Sequence, residues 1–243
     1  MRPLAIDLFC GLGGWTEGLL AEGYRVIGFD IERHVYGEAR YPAQLVLQDV
    51  RTIHGAQFKD AALIVASPPC QAYSYRAMPW TRAKALPQPD NTLFEACFRI
   101  QREAEDAAGR TIPMVVENVC GAQKWVGRAR WHHGSFYLWG DVPALMPIVR
   151  RVKRAESIKN HGGSWFNIAH NTTSGHGSNP VNSIANAAEG YKQQGSGPAW
   201  WRGEIGSHGS ESTARKAASA HIAKIPLPLA RHIARAWLPK ESC

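Results

Sequence analysis

Short apolar runs alternate with amphipathic stretches through the first half of the chain. Leu4–Leu8 is a strand-length apolar segment, followed by a glycine-rich turn and a helical pattern from about Trp15 to Glu22. Arg25–Asp30 reads as a second strand and Glu32–Arg40 as a helix. Ala62–Ala66 (A-L-I-V-A) is a continuous apolar run, the signature of a strand buried on both faces. Asn91 or Thr92 is placed to cap a helix through about Ala107, with Leu93, Ala96, Cys97 and Ile100 on one face. Pro113–Val116 is a further buried strand, and Gly134–Gly140 supplies another. Strands alternating with helices predict an α/β fold with a parallel, doubly wound sheet. Past Pro147 the periodicity fades, and residues 160–212 are rich in Gly, Ser, Asn and His. Helical patterning returns from Thr213 and ends in Pro226–Leu238, where Leu229, Ile233 and Trp237 share a face and Arg231 and Arg235 lie off it.

Composition sharpens this picture. The chain has 243 residues, a length suited to one α/β domain with a small appended region. Its 44% hydrophobic and 20% charged content excludes a disordered chain or a coiled coil. No apolar run approaches the ~20 residues needed to span a bilayer, and the first residues lack the basic, apolar and small-residue order of a signal peptide. Five scattered cysteines with no C-x-x-C argue against a disulfide framework, so a reduced, cytoplasmic setting is expected. The net charge of +8 is unevenly spread. Residues 1–122 carry 12 basic and 14 acidic side chains, whereas residues 123–243 carry 16 and 6. A near-neutral first half and a basic second half suit chemistry in one part and polyanion contact in the other. Aromatics within the polar stretch (Trp165, Phe166, Trp200, Trp201) fit either a base-contacting surface or the packing of a loose insertion.

Three segments carry candidate chemistry. Asp7–Gly14 (D-L-F-C-G-L-G-G) runs from a strand through a glycine turn into a helix, where backbone can approach a ligand and free N–H groups await an anion. The G-x-G-x-x-G dinucleotide pattern is not met, because Trp15 and Thr16 follow Gly14. Asp30, at the end of the next strand, is placed to hold ribose hydroxyls. Ser67–Ser74 (S-P-P-C-Q-A-Y-S) follows the buried A-L-I-V-A strand and puts Cys70 beyond its carboxyl end, in a stiff, polar turn that suits a thiolate nucleophile better than a structural cysteine. Val115–Val119 (V-V-E-N-V) brings Glu117 and Asn118 to the end of another strand, as a structurally paired or a functional acid.

In this order, D-L-F-C-G-L-G-G-W, S-P-P-C-Q-A-Y-S and V-V-E-N-V resemble the first, fourth and sixth motifs of the DNA cytosine-5 methyltransferases, in a compact form similar to phage and prophage members. The resemblance covers roughly residues 4–120 and implies a Rossmann-like sheet that binds S-adenosylmethionine. It implies that Asp7, Phe9, Gly11, Leu12, Gly13 and Gly14 line the cofactor, Asp30 its ribose and Ile31 its adenine. Asp49 and Val50 would sit at the adenine edge, with Pro69 and Leu93 nearby. Cys70 would add to carbon 6 of cytosine, Glu117 would donate to ring nitrogen 3, and Asn118 would hold the cysteine loop. Ser67, Pro68, Gln71 and Ser74 would face the substrate, a base flipped out of the duplex under a closing loop, Tyr73–Pro89. The implied organisation is a catalytic region at 1–148, a small target-recognition region at 149–212 and a segment at 213–243 returning to the catalytic region.

Two departures from the family pattern stand out. Its Q-x-R-x-R motif, whose arginines would hold the cysteine loop and the base, corresponds only to V-G-R-A-R (Val126–Arg130), which lacks the glutamine; Arg128 and Arg130 are the candidates for that catalytic role, with solvated arginines near a phosphate path as the alternative. Its last motif survives as I-A-K-I-P-L-P (Ile222–Pro228), with Ala223 where the family has asparagine. The histidines His161, His170 and His176 have no cysteines or acids to complete a metal site, and none is expected. An RNA (tRNA) cytosine-5 methyltransferase and an inactive DNA-binding relative are the competing readings. A nicotinamide oxidoreductase would leave S-P-P-C-Q and E-N-V unexplained, and Cys10 and Cys120 stand as alternative nucleophiles.

Overall fold

The computed structural model describes residues 2–73, 88–134, 136–146, 220 and 223–239. All but residues 220 and 223 belong to one compact unit. The expected recognition region at 149–212, the loop residues 74–87 with Ser74, the three loop histidines and the basic cluster at 150–154 lie outside the described residues.

Five strands form the parallel body of a seven-stranded sheet: β1 (Leu4–Leu8), β2 (Arg25–Asp30), β5 (Gln44–Leu47), β6 (Ala61–Ala66) and β7 (Met114–Asn118), after a two-strand ribbon, β3 (Val35–Tyr36) and β4 (Ala39–Arg40). The order is β5-β2-β1-β6-β7-β9-β8, where β8 (Trp131–His133) and β9 (Phe136–Gly140) form an antiparallel pair and β9 runs antiparallel to β7. The chain reverses direction in the sheet about β1, a switch point at which such sheets place ligands. Strands buried on both faces need apolar residues throughout, and β6 and β7 supply them.

Helices cover both faces. α1 (Gly14–Ala21) and α4 (Leu227–Ala236) pack on one, burying Trp15, Leu19, Leu229 and Ile233 with Leu63, Val65 and Val115. α2 (Thr92–Ala108) packs on the other through Phe94, Ala96, Cys97, Ile100 and Ala104, and α3 (Gln123–Val126) is a single turn after β7. Among the described residues no helix is long and apolar enough to cross a membrane.

The segment Glu32–Arg40, read from sequence as a helix, instead contains the ribbon β3–β4. Gly37 explains the difference. Its φ of +61 between Tyr36 and Ala39 makes a tight reversal, and Val35 and Tyr36 favour extended backbone.

Glycine fixes how α1 meets α4. A Cβ on Gly18 would lie 2.4 Å from Ala230 Cβ and 2.7 Å from the Arg231 nitrogen. Around this seam Arg231 and Arg235 share the carboxylate of Glu22, at 2.6 and 2.9 Å, and Lys224 pairs with Glu17. The hydrogen bonds from Arg235 and Arg231 hold the Glu22 carboxyl below its usual range. Gly18→Ala is expected to wedge α4 off α1 and to lower stability by roughly 1–3 kcal/mol, the cost of overpacking. Denaturant titration checks this, and an unchanged midpoint would show that the two helices give way freely.

Candidate functional site

Strand register brings the candidate residues to one level. Phe29, Leu8, Ala66 and Val116 are paired across β2, β1, β6 and β7. The residues one step further toward the carboxyl edge are therefore Asp30, Phe9, Ser67 and Glu117. The glycine turn and the S-P-P-C loop leave the sheet from this row, while the E-N pair ends β7 there, still paired with β9.

At the β1 end, Phe9 adopts φ +58, unusual for a side-chain-bearing residue, and Gly11 and Gly13 follow at +50 and +81. Asp30 organises this turn. Its Oδ2 accepts the Gly11 N–H at 2.8 Å and its Oδ1 accepts the Ile31 N–H at 2.8 Å. Burial opposes the charge on Asp30, but the hydrogen bonds from His34 and the Gly11 amide prevail and hold it below the usual carboxylate range. The Asp30 hydrogen bond raises His34 in turn. An ionised carboxylate offers about four lone-pair sites; the Gly11 and Ile31 amides hold two of them closely, and the longer contacts from Glu32 N–H (3.4 Å) and His34 (3.6 Å) are those that vicinal hydroxyls would replace. Beside it Ile31 is 70% exposed, an uncovered apolar face. No atom lies within 4 Å of where a Cβ on Gly11 would stand, so the turn leaves open space. Asp7 Oδ1 is buried with no hydrogen-bond partner. These features fit a ligand with a ribose and a flat apolar ring.

The other residues named for the cofactor lie at various distances from solvent. Leu12, Gly13 and Gly14 are buried in the turn, Pro69 is exposed, and Leu93 is half-buried on α2. Val50 is buried, while Asp49 caps the following turn and holds Arg51, whose hydrogen bonds lower its carboxyl.

At the β6 end, Ser67 accepts from the Trp15 indole at 3.0 Å, and its amide bonds Leu8 O. Pro68 is buried and its carbonyl accepts from Asn118 Nδ2 at 3.0 Å, so the E-N strand end holds the cysteine loop directly. Cys70 follows, half-buried, with its carbonyl accepting the Tyr73 N–H; Gln71 is exposed. Glu117 is only 6% exposed.

The other described cysteines are poorer nucleophiles or lie off this row. Burial, with Asp7 and Asp30 close by, raises Cys10 far above the thiol range. Burial pushes Cys97 up to about 12, and its thiol donates to Leu93 O. Cys120 is half-buried on the turn after β7.

Arg128 and Arg130 are exposed on the segment between α3 and β8. With Gln123, Ala129, Trp131, His132 and Tyr137 they line a cavity of about 430 Å³, in which Cys70 and Glu117 take no part. The glutamine missing from V-G-R-A-R has a counterpart in Gln123, whose Oε1 accepts the Ala129 N–H at 3.2 Å. The His132 and Tyr137 rings stack at 4.7 Å, near parallel. At the C-terminal motif Ala223 is exposed, and a Cβ on Gly14 would lie 2.4 Å from the Ile225 nitrogen, so the backbone of this segment lies on the first residue of α1.

Sequence reasoning missed several supports. Tyr73 is buried and donates to Asn91 Oδ1 at 2.9 Å, and Asn91 Nδ2 reaches Trp125 O at 3.4 Å, tying the cysteine loop to α2 and α3. Trp15 and Tyr73 fall within the quoted motifs, but their partners Ser67 and Asn91, like Thr16 for Tyr41, are brought to them only by the fold; Gln123 bonds Ala129 across a turn that the sequence pattern does not mark.

Among solved structures the chain is similar to a prophage-encoded DNA modification methyltransferase from E. coli, at 25% identity over 52% of this chain and 35% of that one, with a TM-score of 0.36. It is similar to the S. pombe Dnmt2 methyltransferase at 17% identity, covering 52% and 37%, and to the Entamoeba histolytica methyltransferase EhMeth at 17%, covering 52% and 41%, each with a TM-score of 0.36. The chain thus spans well under half the length of these proteins. No curated protein matches it. The family model of the C-5 cytosine-specific DNA methylases matches residues 4–125, half of the sequence and the whole of the row described above. The chain belongs to the C-5 cytosine-specific DNA methylase family.

Proposed function

We propose that the protein transfers a methyl group from S-adenosylmethionine to carbon 5 of cytosine in DNA. The observation that carries this reading is the level row of strand ends, at which a ribose-competent carboxylate, a cysteine loop and a buried glutamate stand side by side. Bound at the Gly11–Gly14 turn against Asp30 and Ile31, the cofactor supplies the methyl group.

The chain's own residues prepare the base. Aromatic carbon 5 is a poor nucleophile. The Cys70 thiolate forms a bond to carbon 6, and the electron pair displaced from the 5,6 double bond makes carbon 5 electron-rich. Glu117 donates a proton to ring nitrogen 3, where negative charge would otherwise gather. Once carbon 5 has gained the methyl group its proton passes to solvent, the 5,6 double bond re-forms as the carbon 6–sulfur bond breaks, the sulfur leaves as thiolate and nitrogen 3 returns its proton to the Glu117 carboxylate. Asn118 fixes the approach by holding Pro68 O. A thiol in this loop reaches carbon 6 only of a base taken out of the stack.

The basic second half would hold the DNA strand. We place Arg128 and Arg130 on that face, because the cavity they line combines two guanidiniums with an aromatic stack and excludes Cys70. Either arginine replaced by alanine should weaken duplex binding and lower the slope of log affinity against log salt by about one. A fluorescence-anisotropy salt series with an unchanged slope would take them off the DNA face.

The central test is trapping with duplex DNA that contains 5-fluorocytosine, which blocks the final proton loss. A covalent adduct mapped by peptide sequencing to Cys70 supports the reading. Methyl transfer to tRNA in preference to duplex DNA would redirect it to RNA, and cofactor-independent DNA binding without any adduct would mark an inactive relative.

A further inference from the structure

Behind the glycine turn lies a buried polar chain that the proposed chemistry does not use. Thr16, on the first turn of α1, donates its hydroxyl proton to Asp7 Oδ2 at 2.6 Å. The Tyr41 hydroxyl lies 2.6 Å from the same Thr16 oxygen. Thr16 has one proton and gives it to Asp7, so Tyr41 is the donor to Thr16. All three residues are buried.

Tyr41 also fills space. A Cβ on Gly28, which pairs with Asp7 in the sheet, would meet the Tyr41 ring and hydroxyl at 2.3 Å. A Cβ on Gly13 would meet Pro42 Cδ at 2.5 Å and the Tyr41 ring at 3.1 Å. Tyr41 and Pro42 thus lie against Gly13, the glycine of the turn that has φ +81. The ribbon β3–β4 delivers them there, since Tyr41 directly follows Arg40.

We propose that Tyr41 is a positioning residue for the cofactor turn, acting through Thr16 and Asp7 on the start of α1 and through its ring on Gly13. It rests on the reading of that turn as the S-adenosylmethionine site, and it adds a residue that touches neither cofactor nor base. Burial pushes the Asp7 carboxyl up to about 8, with the Thr16 hydrogen bond opposing and Asp30 adding to the rise. Burial likewise raises Tyr41 well above its ordinary range, so its hydroxyl remains a donor.

The test uses Tyr41→Phe, which keeps the ring and removes one donor, and Thr16→Val, which breaks the chain at its centre. Each should raise the KM for S-adenosylmethionine by roughly five- to tenfold with kcat changed less than about twofold. The double variant should be no worse than Thr16→Val alone, because both changes break one chain. Amide hydrogen exchange of the ligand-free protein should quicken over Gly11–Thr16 in both variants. An unchanged KM with unchanged exchange, or additive losses in the double variant, would overturn the proposal. Faster exchange in a protein whose wild type binds no S-adenosylmethionine would sink the cofactor reading while leaving the chain's mechanical role standing.

Discussion

Cys70→Ser is expected to reduce methyl transfer to DNA by at least about a thousandfold while S-adenosylmethionine binding stays within about twofold of wild type. The split follows from the geometry. The serine hydroxyl is almost wholly protonated at neutral pH and has no described base beside it, so it adds to a ring carbon far more slowly than a thiolate. The glycine turn and Asp30 are held by their own hydrogen bonds, Gly11 N–H to Asp30 and Thr16 to Asp7, and none involves Cys70. The 5-fluorocytosine adduct should vanish in parallel. Turnover preserved in Cys70→Ser would transfer the nucleophile to another thiol; Cys10 is a poor heir, being buried between Asp7 and Asp30, which leaves Cys120 as the residue to replace next.

The second large effect is expected of Glu117→Gln. A glutamine of nearly equal volume can occupy the end of β7 without disturbing the pairing of Glu117 with Leu138 or the Asn118 bond to Pro68 O. It has no carboxyl proton to deliver to nitrogen 3. Loss of one general acid costs roughly 10²–10⁴ in rate, so kcat should fall within that range with an unchanged melting temperature. A drop of less than tenfold would show that charge at nitrogen 3 is relieved by another donor, and the guanidiniums of Arg128 and Arg130 would then be tested in the same assay.

The parts of this molecule that were legible from sequence share a physical cause. Runs such as A-L-I-V-A and M-V-V-E-N read clearly because a parallel strand buried on both faces leaves no room for polar residues before its carboxyl end. The chemistry then stands out as the first polar group beyond each run: Asp30, Ser67 and Glu117. Helix α2 was readable through its apolar stripe, and α4 through Leu229 and Ile233. The ribbon β3–β4 was misread because Glu32–Arg40 is too short and too polar to show a period, and its fold depends on the one backbone angle that Gly37 permits. Tyr41 was invisible for a related reason. Its partners, Thr16 and Gly28, are brought near it only when the sheet has formed. Gln123 shows the same limit in miniature, reaching Ala129 by a side-chain bond across a turn rather than by sitting at the family's position.

The seam between α1 and α4 has a consequence for how the chain acquires its structure. Tyr24, just beyond α1, bonds Ala234 O across 210 residues of sequence. Trp15 and Leu19 keep one flank uncovered until Ile225, Leu229 and Ile233 arrive. Contacts this distant close late, since loop-closure entropy must be met before they form. On a ribosome, the first helix therefore emerges with an apolar flank that waits for residues about two hundred positions further along the chain. Until those residues arrive, Trp15 and Leu19 are apolar surface that a chaperone can bind or a second chain can cover.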